Sequence, residues 1–138
     1  MSHFETSTAT LRFFGDDLDP EEITSRLGCT YTRCTRKGEV TIGKVTGNER
    51  IAKTGSWLLL VSDQEPANLD LQISEILARL TDDLEVWRDL TKKYQANVFC
   101  GMFMATGNDG LALSATTLLS LGERRLEIWL DVYDHTDD

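Results

Sequence analysis

The chain has 138 residues, 41% of them hydrophobic and 27% charged, with a formal net charge of −9. That length and balance describe one ordinary folded domain, able to bury about two-thirds of its unfolded surface without a metal or disulfide staple, and they exclude a disordered chain. So negative a surface repels phosphates, which argues against a nucleic-acid partner, and no apolar run approaches the ~18 residues that span a bilayer.

The first eight residues, Met1-Ser-His-Phe-Glu-Thr-Ser-Thr8, lack the basic and apolar segments of a secretion signal. Three scattered cysteines, Cys29, Cys34 and Cys100, then read as free thiols in a reducing cytoplasm. In residues 9–14, Ala9, Leu11 and Phe13 alternate with Thr10, Arg12 and Phe14, which predicts a strand with one buried face. After a turn at 15–18, Asp19-Pro20-Glu21-Glu22 is a strong helix start: a capping carboxylate, a proline at the first helical position and two acids at the positive end of the helix dipole. Ile23 and Leu27 face the core, and Gly28 supplies the stop.

Residues 29–53 read as irregular, with a weak, exposed strand at 39–46. Six cations (Arg33, Arg36, Lys37, Lys44, Arg50, Lys53) stand there against Glu39 and Glu49, a local net of +4 that leaves −13 on the rest. The apolar run from Trp57 to Val61 predicts a central strand. Pro66 opens a helical region striped by Leu69, Ile73, Ile76, Leu77 and Leu80. Thr81-Asp82-Asp83 restarts it, with Leu84, Trp87, Leu90 and Tyr94 on a second stripe. Residues 98–105 form another apolar, central strand. Ser114 caps a short helix carrying Leu118, Leu119 and Leu121, ended by Gly122. In the last strand Leu126, Ile128, Leu130 and Val132 make the buried face and Glu127, Trp129, Asp131 and Tyr133 the other.

The expected architecture is one α+β domain over 1–138, with an ordered core at about 8–134 and polar tails at 1–7 and 135–138. It is a two-layer sandwich of four to five strands in a mainly antiparallel or mixed sheet, helices on one face, ferredoxin-like or related. The strand–helix–strand pattern at 11–61 and again at 98–132, each ending in a Trp-bearing strand, allows an internal βαβ duplication.

Several short runs, in order and at their spacing, carry a resemblance. They are Leu11-Arg-Phe-Phe-Gly-Asp-Asp-Leu-Asp-Pro-Glu-Glu-Ile23, Arg36-Lys-Gly38, Thr54-Gly-Ser-Trp57, Leu84-Glu-Val-Trp87, Phe99-Cys-Gly101 and Leu130-Asp-Val-Tyr133. Over about residues 8–134 the chain resembles the bacterial family of domains of unknown function numbered 4279. The resemblance implies a stand-alone, cytoplasmic, bacterial domain. It brings no established activity and no catalytic residues. Small acidic domains of this sort associate with immunity or antitoxin roles.

Candidate sites are few. Asp16, Asp17, Asp19, Glu21 and Glu22 could gather around a divalent cation, but they lack calcium-loop spacing, and helix capping is the better reading. The three cysteines lack a fourth zinc ligand, since His3 and His135 lie in the expected tails. No Ser or Cys has a histidine base in prospect, and no phosphate-cradling or dinucleotide-binding glycine motif is present. No catalytic, cofactor or metal residue is therefore assigned. If the face bearing Glu127, Trp129, Asp131 and Tyr133 is open, it makes an aromatic–acidic patch of the kind that binds proteins, with Asp16 and Asp17 as further acids. The leading expectation is a non-enzymatic, acidic protein-binding module, immunity-like, that covers a basic partner. The alternative is a small-molecule-binding domain with a pocket between sheet and helices near Trp57 and Trp87. A carboxylate-based enzyme comes third. Homodimerisation could run through an exposed strand such as 40–46.

Overall fold

The computed structural model describes residues 2–135. Its elements in chain order are β1 (Ser2–His3), β2 (Thr6–Gly15), α1 (Pro20–Leu27), β3 (Arg33–Thr35), β4 (Val40–Ile42), β5 (Glu49–Ile51), β6 (Gly55–Leu60), α2 (Leu69–Ala78), α3 (Leu84–Lys93), β7 (Gln95–Phe103), β8 (Asp109–Gly110), α4 (Ala115–Glu123) and β9 (Glu127–Tyr133). Five strands form the main sheet in the order β3-β6-β2-β7-β9. All its pairings are antiparallel except β7 with β9, so the sheet is mixed. β4 and β5 make a separate hairpin, and β1 pairs with β8.

Side-chain alternation builds the core. Ser7, Ala9, Leu11 and Phe13 of β2 point to one face and are buried there. Trp57 and Leu59 of β6 and Val98 and Cys100 of β7 join them. Each helix lies against a strand of this face: α1 on β6, α2 on β2, α3 on β7 and α4 on β9. Their apolar stripes, led by Ile23, Leu27, Ile73, Ile76, Trp87 and Leu90, complete one hydrophobic core.

The helix boundaries follow the chemistry of their ends. Asp19 caps α1 by accepting from the Glu21 N–H (3.1 Å), Pro20 opens it, and Gly28 closes it at φ 81°, a left-handed conformation that glycine adopts without a Cβ penalty. Asn68, Asp83 and Ser114 cap α2, α3 and α4. Gly15 and Gly55 face each other across β2 and β6 where the chain closes tightly. A Cβ on Gly55 would stand 2.8 Å from the Gly15 carbonyl oxygen, so the strands close here only because no side chain stands at that position.

Several expectations change. The N-terminal stretch at 1–7 is not a frayed tail over its described residues: β2 begins at Thr6, Ser7 is wholly buried, and Phe4 packs on the core. Residues 136–138 of the expected C-terminal tail lie outside the described residues. The basic segment is not irregular, because β3 joins the main sheet and β4–β5 form a hairpin. The two Trp-bearing strands are not equivalent, since β6 runs antiparallel to β2 whereas β9 runs parallel to β7. Trp57 is fully buried while Trp129 is half exposed, so the duplication does not extend to topology. In β9, Leu126 just before the strand is buried, but Leu130 and Val132 are 56% and 50% exposed. Leu118 and Leu119 of α4 are likewise open to solvent, so β9 is an edge strand that α4 covers only near its start.

Candidate functional site

Among the described residues no helix covers the face of the sheet opposite the four helices. β2 sends Thr8, Thr10, Arg12 and Phe14 to it, because these alternate with its buried residues. Strand register then fixes their neighbours. Arg12 lies opposite Asn97, Thr10 opposite Phe99 and Thr8 opposite Gly101 on β7. One strand further out, Asn97, Phe99, Gly101 and Phe103 lie opposite Glu127, Trp129, Asp131 and Tyr133. On the other side Leu58 of β6 faces Arg12, with Arg33 of β3 beyond it.

Arg12 occupies the middle of this face, on the central strand. Its Nε donates to Asn97 Oδ1 at 2.8 Å. Its guanidinium carbon stands 4.3 Å from the Phe99 ring centroid, 5.1 Å from Phe14 and 5.9 Å from Trp129. Partial burial among these rings draws its pKa below the usual arginine value, yet the group stays charged. Among the described residues it forms no ion pair with a carboxylate. The cation is held by aromatic faces and one amide, with its terminal nitrogens left to meet an acceptor from outside.

A second aromatic group lies at the far end of the outer strands. Phe103 and Tyr133 stack with centroids 4.8 Å apart and rings 10° from parallel. The Tyr133 hydroxyl donates to Asp131 Oδ2 at 2.6 Å, which holds the phenol above its ordinary pKa. Trp129, Tyr133 and Phe103 are 52%, 46% and 38% exposed. At the opposite end the face runs into a polar cleft of about 430 Å³ bordered by Lys92, Lys93, Arg125, Glu127 and Trp129.

All four β9 residues singled out in the sequence, Glu127, Trp129, Asp131 and Tyr133, therefore share the open face. Asp16 and Asp17 do not; they sit in the turn after β2. Asp16 is engaged with Lys37 at 3.3 Å, the leading cause of its lowered pKa. Arg36 lies 3.7 Å from Asp19, so the basic segment lays two cations on the acidic turn. Trp57 and Trp87 belong to the core. Both are fully buried, Phe13 packs against each, and their ring N–H groups donate to Thr24 Oγ1 (3.1 Å) and the Thr81 carbonyl (2.8 Å). Their rings occupy the space where a sheet–helix pocket was expected.

Arg12, Phe14, Asn97 and Phe99 were not singled out in the sequence. Alternation places Arg12 and Phe14 on the face opposite Leu11 and Phe13, but their convergence with Phe99 and Trp129 depends on strand order. Among the described residues no three His, Cys, Asp or Glu side chains gather in a metal-holding cluster, and no helix is long and apolar enough to cross a membrane. No curated protein and no solved structure matches the chain. The model of one family, described as a domain of unknown function (DUF4279), matches residues 5–135, nearly the full length, and the chain belongs to that family.

Proposed function

We propose that the protein is a non-enzymatic binding module, working in a bacterial cytoplasm, that engages a protein partner through the open face of its sheet. The observation that carries this reading is the caged guanidinium of Arg12, central on the open aromatic surface and, among the described residues, without a carboxylate partner. Arginine and aromatic residues are the side chains that most often dominate binding energy at protein interfaces. Arg12 is already fixed by Asn97, and Tyr133 at the far end of the face by Asp131, so little ordering entropy opposes docking. The net charge of −9 favours encounter with a basic protein, and Glu127 and Asp131 would meet its cations. An immunity-like role, covering such a partner, is the form of this reading that the charge balance favours.

The test is co-purification of the tagged chain from its own cells at low salt, alongside Arg12→Ala and Trp129→Ala. One stoichiometric basic protein, released by salt and lost from both variants, is the expected result. A preparation with no partner, or a partner indifferent to both substitutions, overturns the reading.

A second reading rests on the cleft of about 290 Å³ between α2 and α4, lined by Ser74, Thr117, Ser120 and Arg124 among others. The buried Nε of Arg124 finds no hydrogen-bond partner among the described residues, although Nη1 of the same group donates to the Ser120 carbonyl at 3.0 Å. A small anion in the cleft would pair with the guanidinium of Arg124, which lines it. A melting temperature raised by small carboxylates or phosphates in the wild type but not in Arg124→Met would favour this reading, and no shift with either class would dismiss it.

A further inference from the structure

β9 is the last strand of the sheet, seven residues long, and among the described residues its outer backbone edge faces no other strand. The Tyr133 carbonyl accepts from the Met104 N–H at 2.9 Å, so Tyr133 directs its backbone groups toward β7. By alternation Ile128, Leu130 and Val132 direct theirs outward. Edge strands are ordinarily blunted by lysine, proline, a bulge or short length. β9 has no lysine, proline or bulge, its two charges, Glu127 and Asp131, lie on the open face, and the residues whose backbone points outward are all aliphatic. The opposite edge differs, because β3 is only three residues long and begins with Arg33.

The sequence of β9 is complementary to its own reverse. We infer that two copies of the chain pair through β9, antiparallel about a twofold axis at Leu130, joining their sheets into one of ten strands. In that register Glu127 lies opposite Tyr133 of the second copy and Trp129 opposite Asp131, so every acid meets an aromatic residue on the open face. On the helix side Leu130 meets itself and Ile128 meets Val132. The residues whose backbone points outward become the hydrogen-bonded pairs of the new ladder. Sliding the register by two residues either way sets Glu127 opposite Asp131, or Asp131 opposite itself, and like charges directly opposite are unfavourable. A slip of one residue reverses every side chain and is excluded by the two different faces. Leu130 and Val132, half exposed in one chain, gain cover. The pairing leaves the open face uncovered and does not depend on the partner-binding reading.

Sedimentation of the full chain at roughly 100 μM, where even a small specific interface associates, reads the assembly directly. The wild type should have the mass of a dimer. Leu130→Lys and Leu130→Glu, each placing like charges on the axis, should be folded monomers by their melting curves. Mixed in equal amounts, the two should recover the dimer mass, because only the unlike pair is then complementary. A monomeric wild type, a dimer that survives both substitutions, or folded variants that stay monomeric when mixed would each overturn the inference. Since the readout involves no partner protein, such a failure leaves the open-face proposal standing.

Discussion

Arg12 and Asn97, 85 residues apart in sequence, meet at 2.8 Å on neighbouring strands and set the orientation of the guanidinium over Phe99. A flexible arginine in solution would lose considerable rotamer freedom on binding. Here that cost has already been met in folding, which is what a recognition residue needs.

A double-mutant cycle should expose this coupling. Arg12→Met and Asn97→Ala are each expected to destabilise the fold by about 1 kcal/mol, and together by less than their sum, because they remove the same hydrogen bond. Urea unfolding of the four proteins measures it. Fully additive losses would mean that the amide does not hold the guanidinium. Arg12→Lys should also fail to restore the wild-type value, since an ammonium cannot lie flat on the Phe99 ring while donating from the Nε position.

Ser7 and Gln72 form a second long-range pair, on the buried side. The Ser7 hydroxyl donates to Gln72 Oε1 at 2.6 Å and accepts from the Asn68 N–H at 2.9 Å. Gln72 Nε2 in turn donates to the carbonyls of Ser7 (2.9 Å) and Ser62 (3.0 Å). Both residues are wholly buried, so the network ties α2 to the central strand with its polar atoms satisfied. Gln72→Leu nearly conserves volume but takes the acceptor from the Ser7 hydroxyl and the donor from the Ser62 carbonyl, while the Ser7 carbonyl keeps the Gln64 N–H. It should cost about 2–3 kcal/mol, read as a lower urea midpoint at unchanged slope. A variant as stable as the wild type would show that the node contributes only packing.

These two pairs mark where the sequence was legible and where it was not. Helix ends were readable because capping is local: Asp19, Pro20 and Gly28 act within a single turn. Strand faces were readable too, since alternation in β2 separates Leu11 and Phe13 from Arg12 and Phe14. Strand order was not, because nothing in residues 126–133 says which neighbours the strand will have. Leu130 and Val132 carry a pattern that looks buried, but their burial depended on how far α4 reaches. Trp129 read as one of a matched pair with Trp57 until one fell on the open face and the other in the core. Ser7 and Gln72 gave no signal, since a buried polar residue resembles a solvated one until its partner is known. The acidic turn offered too much signal: Asp16 looked available, and Lys37, folded back from 21 residues away, engages it.

Cysteine reactivity should divide along the same boundary. Burial between sheet and helices pushes the Cys100 thiol up to about 12, so almost no thiolate exists at neutral pH. Cys29 and Cys34 are only partly buried. A disulfide reagent at pH 8 should titrate two thiols in the native protein and the third only after denaturant is added. Three equally fast thiols would mean that the central sheet opens readily in the native state.

The acid limit of stability should involve Glu22. Lys93 Nζ donates to both of its carboxylate oxygens (2.9 and 3.0 Å) and the Tyr94 hydroxyl to one (2.9 Å), and these bonds lower its pKa. A carboxyl whose folded pKa lies below its unfolded value stabilises the fold fully above the unfolded value, about 4.3. That contribution is lost as pH falls through the folded value. The group is a third exposed, so water screens the pair and the contribution is modest. Urea midpoints of the wild type and Glu22→Gln isolate it from the other acids. The wild type should lead by a constant margin from pH 7 down to about 5, and the margin should shrink below about pH 4. A margin independent of pH would show that Glu22 acts through the shape of its hydrogen bonds and not through its charge.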